Sequence, residues 1–476
     1  MGQKDERDQE RMNLKSSKAL LLMGLLLFAF IPSATVCFYA PDEGRYAEVA
    51  REMMVTGDYL TPRFHGTPHL TKPPMAYWGA ALGMSVLGIH PFGARVVPTL
   101  LYLLMGWCVM ELGRRLFDRG VGIRAAIMFL LSPLPFLLGH FLSADVYVTF
   151  FQLAAVTSAI AAWQDRKHRF VWSFWLSLAL AFLSKGPPGL LCLIPILFLA
   201  WRRRGEGRVL LCLPAIAVFV VVSLGWYLAL IAQDAERARY FLMDEVVSRI
   251  FSSSHGRENP RWMYALCLTA GVLPWVAGYA LALRRGREWW SGGARRVSDR
   301  WGFLCVWFVV PLLIFCLSKS RMILYVAPLT VPLLIAFAAL IREPLQFGRR
   351  DILVGLGIVL FIAGLNQGLR DKGYGKSAIR LAEKARAVDA ESFPVINGTG
   401  RRLGCIGLTF RPDGVVKSLP YLQMIETGSL ADLKRLMGHT RPTWLVIRNK
   451  HLSLLPLSED EGVHEGRLGA YLIQPI

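Results

Sequence analysis

The sequence predicts an α-helical polytopic membrane protein with about eleven transmembrane helices, interfacial helices in its first outer loop and a small C-terminal α/β domain. Three observations carry this prediction. Of the 476 residues, 54% are apolar and only 18% are charged, a composition suited to a chain that spends most of its length in lipid. The apolar residues come in repeated runs of roughly fifteen to twenty, the length needed to cross a bilayer as a helix. The basic residues behind a net charge of +20 fall in short groups between those runs, among them GRRLFDRG, DRKHR, WRRRGEGR and LRRGRE. That pattern is the Lys and Arg bias of cytoplasmic loops, so the charge points to membrane topology and away from a nucleic-acid partner.

The first apolar run, 18–39, follows a polar and basic stretch. It is long for a secretory signal, has no convincing small-residue cleavage site and precedes many further spans, so it is expected to be an uncleaved signal anchor. Further spans are expected at roughly 93–112, 122–141, 146–163, 170–184, 187–201, 209–231, 262–283, 301–317, 322–341 and 352–369. The segment 76–90, AYWGAALGMSVLGIH, is apolar but short and rich in Gly and Ala. It is either a twelfth span or a helix lying at the interface. Charge parity decides. With 76–90 kept on the outer side, the loops on the N-terminal side of the membrane hold roughly twice the Lys and Arg of the opposite loops. Counting it as a span would put WRRRGEGR outside. The expected topology has the N-terminus in the cytoplasm and the C-terminus outside.

The chain then divides into a membrane domain, 1–369, and a C-terminal domain, 370–476. In the latter, helix-like KSAIRLAEKARAV and SLADLKRLMG alternate with strand-like GCIGLTF, TWLVIRNK and AYLIQPI, a length and pattern sufficient for a small α/β unit. Seven of the eight cysteines sit in apolar runs and none forms a CxxC pair, so no disulfide framework is expected.

On this topology the charges of the outer loops gather in five places, all at or near span ends. They are Asp42, Glu43 and Arg45; Lys72 in HLTKPP; Asp145 in SADVY; Lys185 in LSKGPPG; and SSSHGREN with SKSRMILY. Ionisable groups near membrane depth are costly and mark cavities or partners. Each has a plainer explanation as well. Asp42 and Glu43 can serve as first-turn charges of an amphipathic helix with Tyr46, Val49 and Met53 on one face. Asp145 can cap a span, and Lys185 can snorkel from the end of one. The prolines after Lys72 and Lys185 read as helix breakers. The combination of all five is what points to a site.

Taken together, DEGRYAEVAREM, TPRFHGTPHLTKPPMAYW, SADVYVTFF, LSKGPPGLL and LSKSRMILYVAPL resemble the GT-C class of membrane glycosyltransferases. The nearest likeness is to the group containing the lipid A aminoarabinose transferases and protein O-mannosyltransferase-like enzymes. It runs in order over about 18–345, and the C-terminal domain carries no matching motif. The resemblance implies a GT-C-like helical fold and transfer of one sugar from a polyprenyl phosphate, undecaprenyl phosphate in bacteria. The acceptor would be lipid A, another glycan or a protein at the periplasmic face of the inner membrane, with the C-terminal domain on that same side.

It also implies roles. Asp42 and Asp145 match the acids of the family's outer loops, one serving as general base toward a hydroxyl acceptor or orienting it. If the acceptor is a phosphate, already ionised, the acids would position the donor sugar. Lys72, Lys185 and Arg45 would clamp the lipid phosphate. Tyr46, His255, Lys319 and Tyr325 match positions near the donor head group, and Glu43 is grouped with them as substrate-binding. The aminoarabinose transferases carry an acid just before the lysine of KPP, and with a later histidine that acid resembles a metal site. Here the position is Thr71, and Thr with His255 is a poor pair for zinc. No cofactor is therefore assigned, with a divalent metal as the alternative. A transporter or flippase is the competing class, but transporters place broken helices and charges near the midplane of two matching halves, and these halves do not match.

Overall fold

The computed structural model describes residues 26–34, 42–203, 206–233, 259–275, 298–318 and 320–341, five strands between 395 and 473, and a few single positions. Apart from single positions, the expected span 352–369 lies outside the described residues, as do the helix-like segments of the C-terminal domain.

The first outer loop opens with α1 (Asp42–Thr56) and continues through a two-residue hairpin, β1 (Arg63–Phe64) with β2 (Thr67–Pro68), to α2 (Met75–Leu87). At thirteen residues, α2 is about 20 Å long, short of a hydrocarbon core of about 30 Å. Its Gly and Ala content serves packing. A Cβ at Gly79 would collide with the ring of Tyr147, and one at Gly83 with the backbone of Gly93.

The helices that follow are α3 (Pro91–Leu116), α4 (Arg119–Leu130), α5 (Pro133–Gly139), α6 (Ala144–Asp165), α7 (His168–Lys185), α8 (Leu193–Arg202), α9 (Leu213–Gln233), α10 (Met263–Gly271), α11 (Asp299–Leu317) and α12 (Thr330–Leu340). Among the described residues five segments are long and apolar enough to cross a membrane: α3, α6, α9, α11, and Ile323–Leu340, a 3₁₀ turn running into α12. The expected span at 122–141 is broken. It divides into α4 and α5, which meet at 67°, because Ser132 is extended and Pro133 opens a new helix. The expected span at 187–201 likewise starts as a 3₁₀ turn, Pro187–Cys192, before α8.

α6 is the centre of the bundle. Of its apolar window 89% is buried, against 22% for α9 and 28% for α11, so the latter two present most of their surface outward. α7 lies antiparallel beside α6, with the short turn Arg166–Lys167 between them.

The charge block after the first apolar run is interior. Glu43, Glu48, Arg51 and Glu52 are all buried within α1, together with Tyr46, Val49 and Met53, so α1 is enclosed on several sides and is not a half-exposed amphipathic helix. Burying such charges is tolerable only with close partners. Arg51 donates to Glu48 at 2.7 and 3.3 Å. Arg95 of α3 grips Glu43 through two bonds, 2.9 and 2.8 Å, and the Leu142 N–H donates to the same carboxylate at 2.9 Å.

In the C-terminal part β3 (Val395–Asn397), β4 (Lys417–Ser418), β5 (Thr443–Arg448), β6 (Gly462–Glu465) and β7 (Leu468–Ile473) form a mixed sheet in the order β4-β3-β5-β7-β6. β3 runs parallel to both β4 and β5, and β7 is antiparallel to β5 and β6. TWLVIRNK and AYLIQPI supply β5 and most of β7, as their alternation predicts.

Truncating Arg95 to Ala would strand the buried Glu43 carboxylate. The expected loss is about 3–5 kcal/mol, visible as a lowered thermal midpoint in detergent. The double change Glu43→Gln with Arg95→Met should recover part of it, since no unpaired charge is then left inside.

Candidate active site

The N-terminus of α6 and the C-terminus of α7 meet at one end of the bundle, and local sequence explains both. Ser143 is extended and caps α6, its hydroxyl accepting the Asp145 N–H at 3.2 Å. Capping therefore falls to Ser143, which leaves the Asp145 carboxylate available. α7 stops at Lys185 because Gly186 adopts φ 72°, a region open to glycine, and two prolines follow. Gln152 of α6 donates to the Pro188 carbonyl at 2.7 Å, which ties this turn to α6.

Lys185 and Asp145 form a direct ion pair, with side chains only 9% and 14% exposed. Lys185 is thus partnered inside the protein and does not snorkel outward. The same ammonium stands 3.9 Å from the centre of the Tyr325 ring, a cation–π contact that brings the segment after α11 into the group.

α1 supplies the second acid and cation. Arg45 pairs with Asp42 at 2.8 Å, both partly exposed. Tyr46, next along, packs its ring 5.3 Å from Tyr77. Its phenol is held well above the usual tyrosine range by burial, then by Tyr77, with Asp145 adding to the effect and Arg45 and the Ala144 backbone opposing it. Tyr46 therefore lies within electrostatic reach of both acid–cation pairs. The Glu43 bond to Leu142, three residues before Asp145, docks the start of α1 beside the start of α6.

Of the residues expected in the site, Asp42, Arg45, Tyr46, Asp145, Lys185 and Tyr325 are linked in this way. Lys72 is half-buried just before Pro73 and Pro74. Glu43 departs from the expectation of a head-group contact: it is fully buried with its oxygens engaged by Arg95 and Leu142, and acts as a brace. His255 and Lys319 lie outside the described residues. The two outer segments SSSHGREN and SKSRMILY do meet. Asn259 donates to the Arg321 carbonyl at 2.9 Å, and Arg321 donates back to the Asn259 carbonyl.

Sequence reasoning missed several contributors. Arg95 looked like the start of a span, yet it is fully buried. A lone arginine opening an apolar run was the available signal. Trp78, within the KPP…YW motif, donates to the Tyr59 carbonyl at 2.8 Å, and Trp226 to Leu60 at 2.9 Å, so two indoles hold the first loop to α2 and α9. Glu52 receives the N–H groups of His65 and Gly66 at 2.7 and 3.0 Å. Those two residues form the hairpin tip, both with positive φ, the geometry of a tight two-residue turn.

Of the Thr71 and His255 pair, His255 lies outside the described residues. The Thr71 hydroxyl contacts His69 Nε2 at 2.9 Å, a hydroxyl is a weak ligand for zinc, and among the described residues no three His, Cys, Asp or Glu side chains converge. No step through a metal is derived.

Known proteins resemble this chain in sequence and in fold. The family model for dolichyl-phosphate-mannose-protein mannosyltransferase matches residues 71–227, a stretch that includes Lys72, Asp145 and Lys185. An undecaprenyl phosphate-α-4-amino-4-deoxy-L-arabinose arabinosyl transferase of Pseudomonas fluorescens is 29% identical over 355 residues, 73% of this chain and 63% of that protein. One from Pseudomonas paraeruginosa is 31% identical over 362 residues, 73% and 64% of the two chains. The aligned part of this chain thus spans just under two thirds of the length of these relatives. Among solved structures, ArnT from Cupriavidus metallidurans bound to undecaprenyl phosphate superposes with a TM-score of 0.79 at 17% identity, covering 96% of this chain and 98% of that one. The apo oligosaccharyltransferase of Archaeoglobus fulgidus gives 0.54 at 12% identity, covering 90% and 70%. The chain resembles the GT-C glycosyltransferases, in particular the aminoarabinose transferases, and has the membrane fold of ArnT.

The hairpin anchor titrates in two opposed directions. Burial, and then the neighbouring Glu48, raises Glu52 from 4.5 to about 7. The folded state therefore holds the extra proton between these values, and this residue's contribution to stability falls as pH rises through them. Burial, then Arg51 and His69, lowers His65 from 6.5 to about 3. The unfolded state takes the extra proton there, and this contribution falls as pH drops through that window. The wild type should show the two partly cancelling. His65→Asn, which tolerates the positive φ, should give a thermal midpoint that rises on acidification from pH 7 toward 4.5. Glu52→Gln should give one that falls below pH 6.5.

Proposed function

We propose that this chain is a multi-pass enzyme of the bacterial inner membrane that moves one sugar from undecaprenyl phosphate to an acceptor at the periplasmic face, with lipid A as the first candidate. The observation that carries the reading is the convergence of two acid–cation pairs, Asp42 with Arg45 and Asp145 with Lys185, on one end of the bundle around Tyr46. On this reading 1–369 is the membrane domain with about eleven spans, the N-terminus is cytoplasmic, and 370–476 is a periplasmic α/β domain built on the mixed sheet. The likeness to arabinosyl transferases acting on undecaprenyl phosphate-aminoarabinose supports the donor class.

The chemistry follows from the charges. The bond between the sugar's anomeric carbon and the phosphate oxygen breaks, and its electron pair stays on the departing lipid phosphate. The carbon passes through an oxocarbenium-like state and bonds to the acceptor oxygen. Cations preplaced at the phosphate stabilise charge as it develops. Lys185 and Lys72 are assigned that role, with Arg45 able to give two parallel bonds. Asp42 is the more open acid, 29% exposed against 14% for Asp145, and is assigned as the base that takes the proton of a hydroxyl acceptor. Asp145 holds Lys185 in place. With a phosphate acceptor no proton moves, and Asp42 orients the sugar.

Full-length protein in nanodiscs, supplied with labelled undecaprenyl-phosphate sugars and lipid A, tests this. Asp42→Asn should lower kcat by about 10²–10⁴-fold with a hydroxyl acceptor and much less with a phosphate acceptor. Lys72→Ala and Lys185→Met should both depress transfer. Well-folded wild type that binds the carrier lipid yet consumes none of the donors would overturn the proposal.

A further inference from the structure

A second feature runs along α6 toward the end opposite Asp145. A groove of about 540 Å³ runs between α3, α6 and α7. On α6 it extends from Phe150 to Asp165, about 22 Å at 1.5 Å per residue, more than one leaflet of a hydrocarbon core about 30 Å thick. Leu104, Trp107, Phe150 and Phe151 wall it, and Trp107 is 57% exposed. Three of its four floor hydroxyls are already satisfied. Ser158 and Ser173 bond each other at 2.9 Å, and Thr157 donates to the Leu153 carbonyl at 2.8 Å, while Ser177 adds one further hydroxyl. A floor of this kind asks for little polar partnership and accepts hydrocarbon.

The mouth is different. Arg115 is neutralised there by Glu111 at 2.6 Å and Asp165 at 2.9 Å. Arg169 is exposed, stands 4.8 Å over the Phe170 ring and pairs with no carboxylate among the described residues. The turn beside it adds exposed Arg166 and Lys167. The mouth therefore carries net positive charge next to an apolar slot. A helix 10–12 Å across and of the groove's length would fill on the order of 2,000 Å³, several times the space present, whereas one acyl chain fits.

We propose that this groove is a binding site for a single anionic glycerophospholipid, one acyl chain lying along α6 and its phosphate held by Arg169 with Lys167. The site faces the leaflet opposite the Asp145 cluster, and basic pockets between transmembrane helices recognise anionic head groups in this way. The proposal does not rest on glycosyl transfer.

Native mass spectrometry of the full chain, delipidated and then titrated with phosphatidylglycerol or phosphatidylethanolamine of matched chains, tests it. One phosphatidylglycerol should be retained, with a preference of about fivefold or more over phosphatidylethanolamine, the effect of a basic residue or two at an anionic surface. Arg169→Ala, at an exposed position, should erase the preference without changing the thermal midpoint. Ala154→Trp, which fills the groove, should reduce retention of both lipids. Equal retention of the two lipids by wild type, or retention untouched by both variants, would overturn the site. So would displacement of phosphatidylglycerol by equimolar undecaprenyl phosphate, which would make the groove a carrier-lipid site, or a photo-crosslinker at Trp107 that captures a protein helix instead of lipid.

Discussion

The fully buried ion pair between Glu43 and Arg95 is the constraint on which the site depends. A carboxylate away from water is affordable only if its lone pairs are met, and here three bonds from two other segments meet them. Arg95 supplies two, from the first turns of α3, and the Leu142 amide supplies the third. Those bonds leave α1 one place to sit. Asp42 and Arg45, on the same helical turn as Glu43, are thereby carried to the end of the bundle where Asp145 begins α6. A packing contact between apolar helices would hold them close, but directional bonds also set the rotation of α1.

The same economy is visible in the two acid–cation pairs. Each cation has a carboxylate beside it, so neither Arg45 nor Lys185 stands uncompensated near membrane depth. On the proposed function, a lipid phosphate arriving at this end exchanges one anionic partner for another and does not have to desolvate a bare charge. Tyr325 adds an aromatic face to Lys185, which limits the positions its ammonium can take while leaving its hydrogens free to redirect.

α6 organises both ends of the molecule. Its first turn carries Asp145 and its last residue is Asp165, paired with Arg115. Buried along nearly its whole length, it gives the neighbouring helices a common axis. α7 returns beside it and places Lys185 opposite Asp145 at one end and Arg169 beside Asp165 at the other. One antiparallel helix pair thus carries an acid and lysine at one end and a basic rim at the other.

Much of this was legible in the chain alone, and the reasons are physical. Hydrophobic run length and loop charge are one-dimensional properties, so the membrane class could be read directly, while 76–90 stayed open on its length and was decided by loop charge. Alternation of spans put Asp42, Asp145 and Lys185 on one side without any knowledge of packing, and the structure brings Asp145 and Lys185 into contact. The helix stop at Gly186 is written in local backbone chemistry, whereas the break at Pro133 was read through as one span over 122–141. What the sequence could not decide is which charges look at one another. Glu43 and Asp42 are adjacent and chemically alike, yet one braces the fold and the other opens toward the site. That difference arises from Arg95 and Leu142, distant in sequence, and from a helix rotation that only tertiary packing sets. The buried Glu48, Arg51 and Glu52 were likewise invisible as interior groups, because a run of charges reads as solvated until a neighbouring helix encloses it.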